Sequence, residues 1–118
     1  MKRDMELCRT ILEQIEDKFP NYAATVEIEG RTEEEIAYHV ILLAEAGFIE
    51  ADIHLNDLGI PWATPKRMKW PGHEFLDAIR NDSVWKQVKE TVKEKGGSIP
   101  FEILKALALK FAGSVFGV

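Results

Sequence analysis

The sequence is poor in the residues and motifs that most catalytic or metal sites require. Cysteine occurs once, at Cys8, so no internal disulfide and no cysteine pair for a metal ion can form. Three histidines, His39, His54 and His73, show no short metal-ligand spacing, and we interpret them as structural. Nucleophile elbows, phosphate-binding glycine loops and dinucleotide motifs are absent. We therefore predict that the protein is not an enzyme and that it binds no cofactor and no metal.

The chain also lacks a basic excess and a long hydrophobic run. It carries 15 lysines and arginines against 20 acidic residues, a formal net charge of −5. Proteins that hold nucleic acid mainly through phosphates usually have a basic excess, so this balance argues against strong non-specific binding but allows a local basic patch. No apolar run has the length of a membrane span, and the charged start, MKRDMELC, lacks the apolar run of a secretory signal. We expect a cytoplasmic protein without membrane contact.

Residues 31–51, RTEEEIAYHVILLAEAGFIEA, are the stretch around which the chain is arranged. Thr32 caps a helix, and Glu35 stands at the spacing of a capping box. Gly47 ends the helix, and an alternating strand follows from Phe48 to Leu55. A helix that feeds into a strand in this way is typical of the recognition helix and first wing strand of a winged-helix domain.

The remaining elements are predicted from periodicity and turn residues. A helix is expected over residues 2–18, a short strand over 24–29, a loop over 56–61 and a returning strand over 63–70. Helices are then expected from Pro71, from Ser83 as the capping residue, and over residues 101–115. The predicted fold is a single α+β domain over residues 1–118, winged-helix-like (helix, strand, helix, two-stranded wing) with additional C-terminal helices. The predicted core consists of Leu7, Ile11, Ile15, Ile36, Val40, Leu43, Phe48, Phe75, Leu76, Ile79, Trp85, Val88, Leu104 and Leu107.

Double-stranded DNA is one candidate partner. The start of the central helix would present Arg31, Tyr38 and His39 to base edges, and the wing would bring a basic cluster to the phosphates. That cluster consists of Lys66, Arg67 and Lys69. The glutamates at positions 33–35 are unfavourable beside a polyanion, and the wing cluster can equally be a solvated strand edge.

A second copy of the chain is the other candidate partner. The last helix, within residues 98–118, is apolar nearly all round, and such a helix must be buried. It is buried either within the monomer or in an oligomer. The residues expected at an oligomer interface are Leu104, Leu107, Phe111 and Val115. Under this hypothesis the protein is an interaction module that keeps a winged-helix frame without binding DNA.

Two levels of resemblance accompany these patterns. TEEEIAYHVILLAEAGFIEA is similar to the recognition helix and first wing strand of bacterial winged-helix regulators. Together, MKRDMELCRTILEQIE, EIAYHVILLAEAGFIEA and KWPGHEFLDAIRNDSVWKQVKE resemble the domain-of-unknown-function family 2513, a bacterial and phage-associated group. GHEFLDAIRND is the most specific part, whereas Lys69-Trp70-Pro71 departs from the threonine-tryptophan-glutamate that we expect before this glycine. The resemblance implies a winged-helix-like fold and no activity. The recognition-helix pattern motivates the hypothesis of a DNA-binding regulator or phage accessory protein.

Overall fold

The computed structural model describes residues 2–18, 26–96 and 99–115. Two helices come first, then a two-stranded antiparallel hairpin and three further helices, which confirms the α+β class. The elements are α1 (Met5–Lys18), α2 (Glu33–Glu45), β1 (Ile49–Leu55), β2 (Pro61–Met68), α3 (Trp70–Ile79), α4 (Asp82–Glu94) and α5 (Phe101–Val115). No helix in these ranges is long and apolar enough to cross a membrane.

The strand predicted over residues 24–29 is wrong where the structure describes it. Residues 26–28 have no regular structure, and a turn follows in which the Arg31 amide donates to the Ile28 carbonyl at 3.2 Å. The described part of the chain contains one sheet, the hairpin β1–β2, so β-branched residues here have no strand with which to pair. Ala24 and Thr25 lie outside the described residues.

Contacts divide the chain into two compact units, Met1–Gly72 and His73–Val118. Unit 1 contains α1, α2, the hairpin and the start of α3. Unit 2 contains the rest of α3 together with α4 and α5. A single domain over residues 1–118 stays a prediction.

In unit 1, α1 and α2 pack against each other and against β2. The Thr32 side chain accepts a hydrogen bond from the Glu35 amide at 3.1 Å, as the capping pattern predicted. Gly47 takes a φ of +82°, which favours glycine, and the chain turns there from α2 into the hairpin. The predicted hairpin is confirmed, although β2 begins at Pro61 and ends at Met68.

The base of the hairpin is held by close backbone packing. The Lys69 amide donates to the Phe48 carbonyl at 2.9 Å, and Ile49 and Met68 are paired and buried. Gly72 lies so close to this carbonyl that a Cβ atom would collide with the Phe48 oxygen and lie 2.9 Å from the Met68 sulfur. The glycine of the GHEFLDAIRND segment is therefore required by the close approach of α3 to Phe48.

A β-bulge on β2 determines which neighbouring side chains are exposed. Glu50 is opposite Arg67 and Ala51 is opposite Pro65, so Lys66 is the extra residue. Because the bulge shifts the alternation by one residue, the side chains of Lys66 and Arg67 are both exposed and Met68 is buried.

In unit 2, α4 packs against α5. The capping residue of α4 is Asn81, whose side chain accepts from the amides of Ser83 and Val84, so the expectation that Ser83 caps this helix is wrong. Asparagine ranks at least with serine as an N-cap, and here it precedes the serine. Across both units, every predicted core residue is buried except Leu107, which is half-buried.

Candidate interaction surface

The polar residues at the start of α2 are bound to one another rather than presented to a ligand. Arg31 Nη2 lies 2.7 Å from Asp4 Oδ2, and Arg31 Nη1 lies 3.2 Å from Glu35 Oε2. These bonds raise the pKa of Arg31. The guanidinium predicted to meet DNA therefore joins the segment before α1 to the first turn of α2.

His39 is an interior residue, with 1% of its surface exposed. Its Nε2 accepts a hydrogen bond from the Asp4 amide at 2.8 Å, and its Nδ1 lies 2.7 Å from the Glu35 carbonyl oxygen. Since a carbonyl can only accept, Nδ1 carries a proton and donates it to the Glu35 carbonyl. The structure thus places His39 out of reach of base edges, because its ring is buried and both nitrogens are engaged, Nε2 with the segment before α1 and Nδ1 within α2. Tyr38 is half-buried, and its ring meets that of His39 edge to face at a centroid distance of 5.4 Å.

We call the group of Asp4, Arg31, Glu35 and His39 the polar cluster. Partial burial raises the pKa of Asp4, but hydrogen bonds from Arg31 and from the amides of Leu7 and Glu6 outweigh that effect and place it below the usual 3.8. Asp4 therefore also caps the first turn of α1. The arrangement is that of a structural joint between two helices.

Two of the three wing cations also have acidic partners. Arg67 Nε lies 2.8 Å from Glu50 Oε2, and Lys66 Nζ lies 3.7 Å from Asp52 Oδ1. Both carboxylates come from the paired strand β1. Lys69 is half-buried at the base of the hairpin. The predicted basic patch therefore has much of its charge balanced within the hairpin.

The distal hairpin, which we define as residues 53–62, is exposed at every position. Leu58 is 83% exposed and Leu55 66%. The loop that carries Leu58 is nonetheless well formed, since the Asn56 side chain accepts from the amides of Leu58 and Ile60, and Gly59 takes a φ of +77°. The large apolar residues exposed here are Ile53, Leu55, Leu58, Ile60 and Trp62.

The last helix carries the residues predicted at an oligomer interface. Leu104 is buried, while Leu107 and Phe111 are half-buried in a helix that packs against α4. The Val115 side chain lies outside what the structure describes. Ile103 and Leu109 are the large apolar residues of α5 that are exposed, so packing in unit 2 accounts for most of the apolar excess of this helix.

Sequence reasoning did not single out the exposed apolar residues of the distal hairpin. Ile53 and Leu55 were expected in a strand with one buried face, but the distal half of β1 has no buried face. A usable signal was present in the loop, where Leu58 and Ile60 interrupt an otherwise polar turn composition.

Comparison with known proteins supports the resemblance drawn from the sequence. The family model DUF2513, described as a hypothetical protein, matches residues 2–98. A protein of Haemophilus influenzae described as "Uncharacterized protein" is 36% identical over 110 residues, which cover 92% of each chain. No solved structure matches this chain.

Proposed function

The chain belongs to the DUF2513 family, and we propose that it is a self-association module on a winged-helix-like frame rather than an enzyme. Its contact surface is the distal hairpin, and the partner is a second copy of the chain. The observation that carries the proposal is the exposure of five large apolar side chains within ten consecutive ordered residues.

The frame is proposed from the order of the elements. Helix α2 leads through Gly47 directly into the two-stranded hairpin, as a recognition helix leads into a wing. Residues 26–31, which precede α2, contain no supporting helix, and Arg31 and His39 bind within the protein. These features support a winged-helix-like frame in which the start of α2 makes contacts within the protein.

The apolar surface supports association with protein. Contiguous exposed apolar surface on a small domain marks a protein contact or another apolar ligand site. In the hairpin pairing Ile53 is opposite Ala63 and Leu55 is opposite Pro61, so Ile53 and Leu55 share one face of the sheet, whereas Trp62 is opposite His54 on the other face. Removing this surface from water in a dimer supplies a hydrophobic driving force that the exposed ion pairs of the hairpin base do not supply.

Sedimentation equilibrium of the full chain tests the proposal. We expect a monomer–dimer equilibrium in which Leu58→Ser raises the dissociation constant by about tenfold or more, a loss of about 1.4 kcal/mol. Leu109→Ser is the matched control, since it makes the same kind of change on the exposed face of α5. A chain that stays monomeric into the high micromolar range contradicts the proposal, and a dimer lost only with Leu109→Ser moves the interface to α5.

DNA binding is the second candidate function, favoured by one specific observation. Lys66, Arg67 and Lys69 lie within four residues, and the ion pairs of the first two are exposed, so exchanging their carboxylates for phosphates costs little. This candidate predicts salt-sensitive binding to random-sequence duplex DNA, measured by fluorescence anisotropy. The double charge reversal Lys66→Glu with Arg67→Glu should weaken binding at all sequences, and Lys86→Glu with Lys93→Glu on α4 is the matched control. Absence of binding at low salt contradicts it.

A further inference from the structure

The two outer edges of the hairpin differ in their ability to accept another strand. The Asn56 amide donates to the Ile60 carbonyl at 2.9 Å, so the backbone of residue 56 faces β2. In an antiparallel pair, residues whose polar groups face the partner alternate with residues whose groups face away. It follows that Leu55, Ile53 and Ala51 direct their N–H and C=O groups to the outer edge of β1.

On β2 the residues opposite these three are Pro61, Ala63 and Pro65. Their backbone groups face the outer edge of β2, and proline has no N–H to offer there. Proline is the first and the third of these three residues, so the outer edge of β2 cannot offer a full row of donors to an added strand. Natural proteins commonly protect edge strands in this way. Helix α1 contacts β2, and α2 contacts both strands of the hairpin. The edge of β1 keeps all three donors, and within the described residues β1 pairs with β2 alone.

The sequence of β1, IEADIHL, is complementary to itself when two copies run antiparallel about Ile53. In that register Ile53 is opposite Ile53, and Ala51 is opposite Leu55, so the outward-facing backbone groups of these three residues all meet a partner. Asp52 is then opposite His54 on both sides of the twofold axis. A twofold axis at residue 52 would set Asp52 opposite Asp52, which places like charges directly opposite each other. An axis at residue 54 would set His54 opposite His54.

Two of the side chains that meet in this register are exposed in the monomer. Ala51, Ile53 and Leu55 lie on one face of β1, and Ile53 and Leu55 are exposed in the monomer. Pairing two copies places these side chains next to each other across an isologous interface. Building on the self-association proposed above, we propose that the protein dimerises by antiparallel β1–β1 pairing centred on Ile53, which forms a continuous four-stranded sheet.

The decisive variant is Ile53→Pro, compared with Ile53→Ala. Because the Ile53 amide faces away from β2, proline removes a donor from the outer edge without removing a hydrogen bond of the hairpin. Alanine keeps the amide and removes most of the side chain. In sedimentation equilibrium we expect Ile53→Pro to abolish the dimer and Ile53→Ala to weaken it by about tenfold or less. Circular dichroism confirms that both variants are folded.

Cysteine cross-linking tests the register without relying on a folded proline variant. Residues that exchange hydrogen bonds across an antiparallel pair have Cα atoms about 5.5 Å apart, which is within the range for a disulfide. Ile53→Cys should therefore form a disulfide-linked dimer with oxidised glutathione, which takes up the two electrons and two protons of the thiols. Leu58→Cys, away from the axis, is the control that should cross-link much more slowly.

The outcomes separate this inference from the proposed function. A dimer that survives Ile53→Pro, or in which Leu58→Cys cross-links faster than Ile53→Cys, overturns edge pairing and leaves self-association in place. A monomer at all concentrations overturns both. Loss of the dimer with Ile53→Pro, together with selective cross-linking at Ile53→Cys, supports the proposal.

Discussion

The polar cluster and the distal hairpin both lie in unit 1, and they use side chains in opposite ways. In the polar cluster, Asp4, Arg31 and His39 are partly or fully buried, and each has partners within the protein at 2.7–3.2 Å. In the distal hairpin, every residue from 53 to 62 is exposed, and the largest side chains are apolar. One region satisfies its polar groups internally, and the other leaves apolar surface in contact with water.

This difference separates residues that maintain the fold from residues available for recognition. A charged residue is a useful candidate for a binding site only if its charge is not already neutralised at short range. Arg31 fails this criterion, since it has two carboxylate partners in the polar cluster, whereas the single ion pair of Arg67 is exposed and can be exchanged. An apolar residue is a useful candidate for a protein contact if its side chain is exposed, because its burial is favourable. The apolar residues of the distal hairpin meet this criterion, since nothing in the described monomer buries them.

The largest contrast is expected between two identical substitutions, His39→Ala and His54→Ala. In the polar cluster, alanine leaves the Asp4 amide without its acceptor and opens a cavity beside α1, which should lower the free energy of unfolding by about 2–4 kcal/mol. In the distal hairpin, His54 is exposed, and alanine there should change the free energy of unfolding by less than about 0.5 kcal/mol. Urea unfolding at low protein concentration, where association does not contribute, measures both. Similar losses for the two variants would contradict the distinction.

A smaller effect is expected from the pH dependence of Asp4→Asn. Because the pKa of Asp4 in the folded protein lies below 3.8, the carboxylate adds stability that is complete above the unfolded pKa and is lost as the pH falls through the folded value. The wild type should therefore exceed Asp4→Asn in unfolding free energy near about pH 7, and the gap should narrow near about pH 3. Urea unfolding at the two pH values provides the measurement. A gap that widens on acidification would show that Arg31 does not stabilise the ionised form.

The fold was largely predictable because its signals are local. The cap at Thr32, the stop at Gly47 and the two strands of the hairpin are each set by a few neighbouring residues, and the structure confirms them. The role of Arg31 was not predictable, because its partner Asp4 is 27 residues away and no local pattern links the two. The misassigned strand over residues 26–29 has the same origin, since strand formation depends on a distant partner that local propensity does not reveal.

The least perturbing test compares the thiol of Cys8, beside the polar cluster, with a thiol introduced at Leu58. Burial, with the nearby charge of Asp4, raises the pKa of Cys8 to about 12, so very little thiolate is present near neutral pH and the sulfur is out of reach of reagents. At a protein concentration low enough to keep the chain monomeric, a cysteine at the 83% exposed position 58 should react with a disulfide reagent at once. In Leu58→Cys we therefore expect one fast and one very slow thiol, with the slow rate rising in urea as unit 1 opens. Rapid labelling of Cys8 in the folded wild type would show that α1 opens readily, and it would remove the contrast between a closed joint and an exposed hairpin.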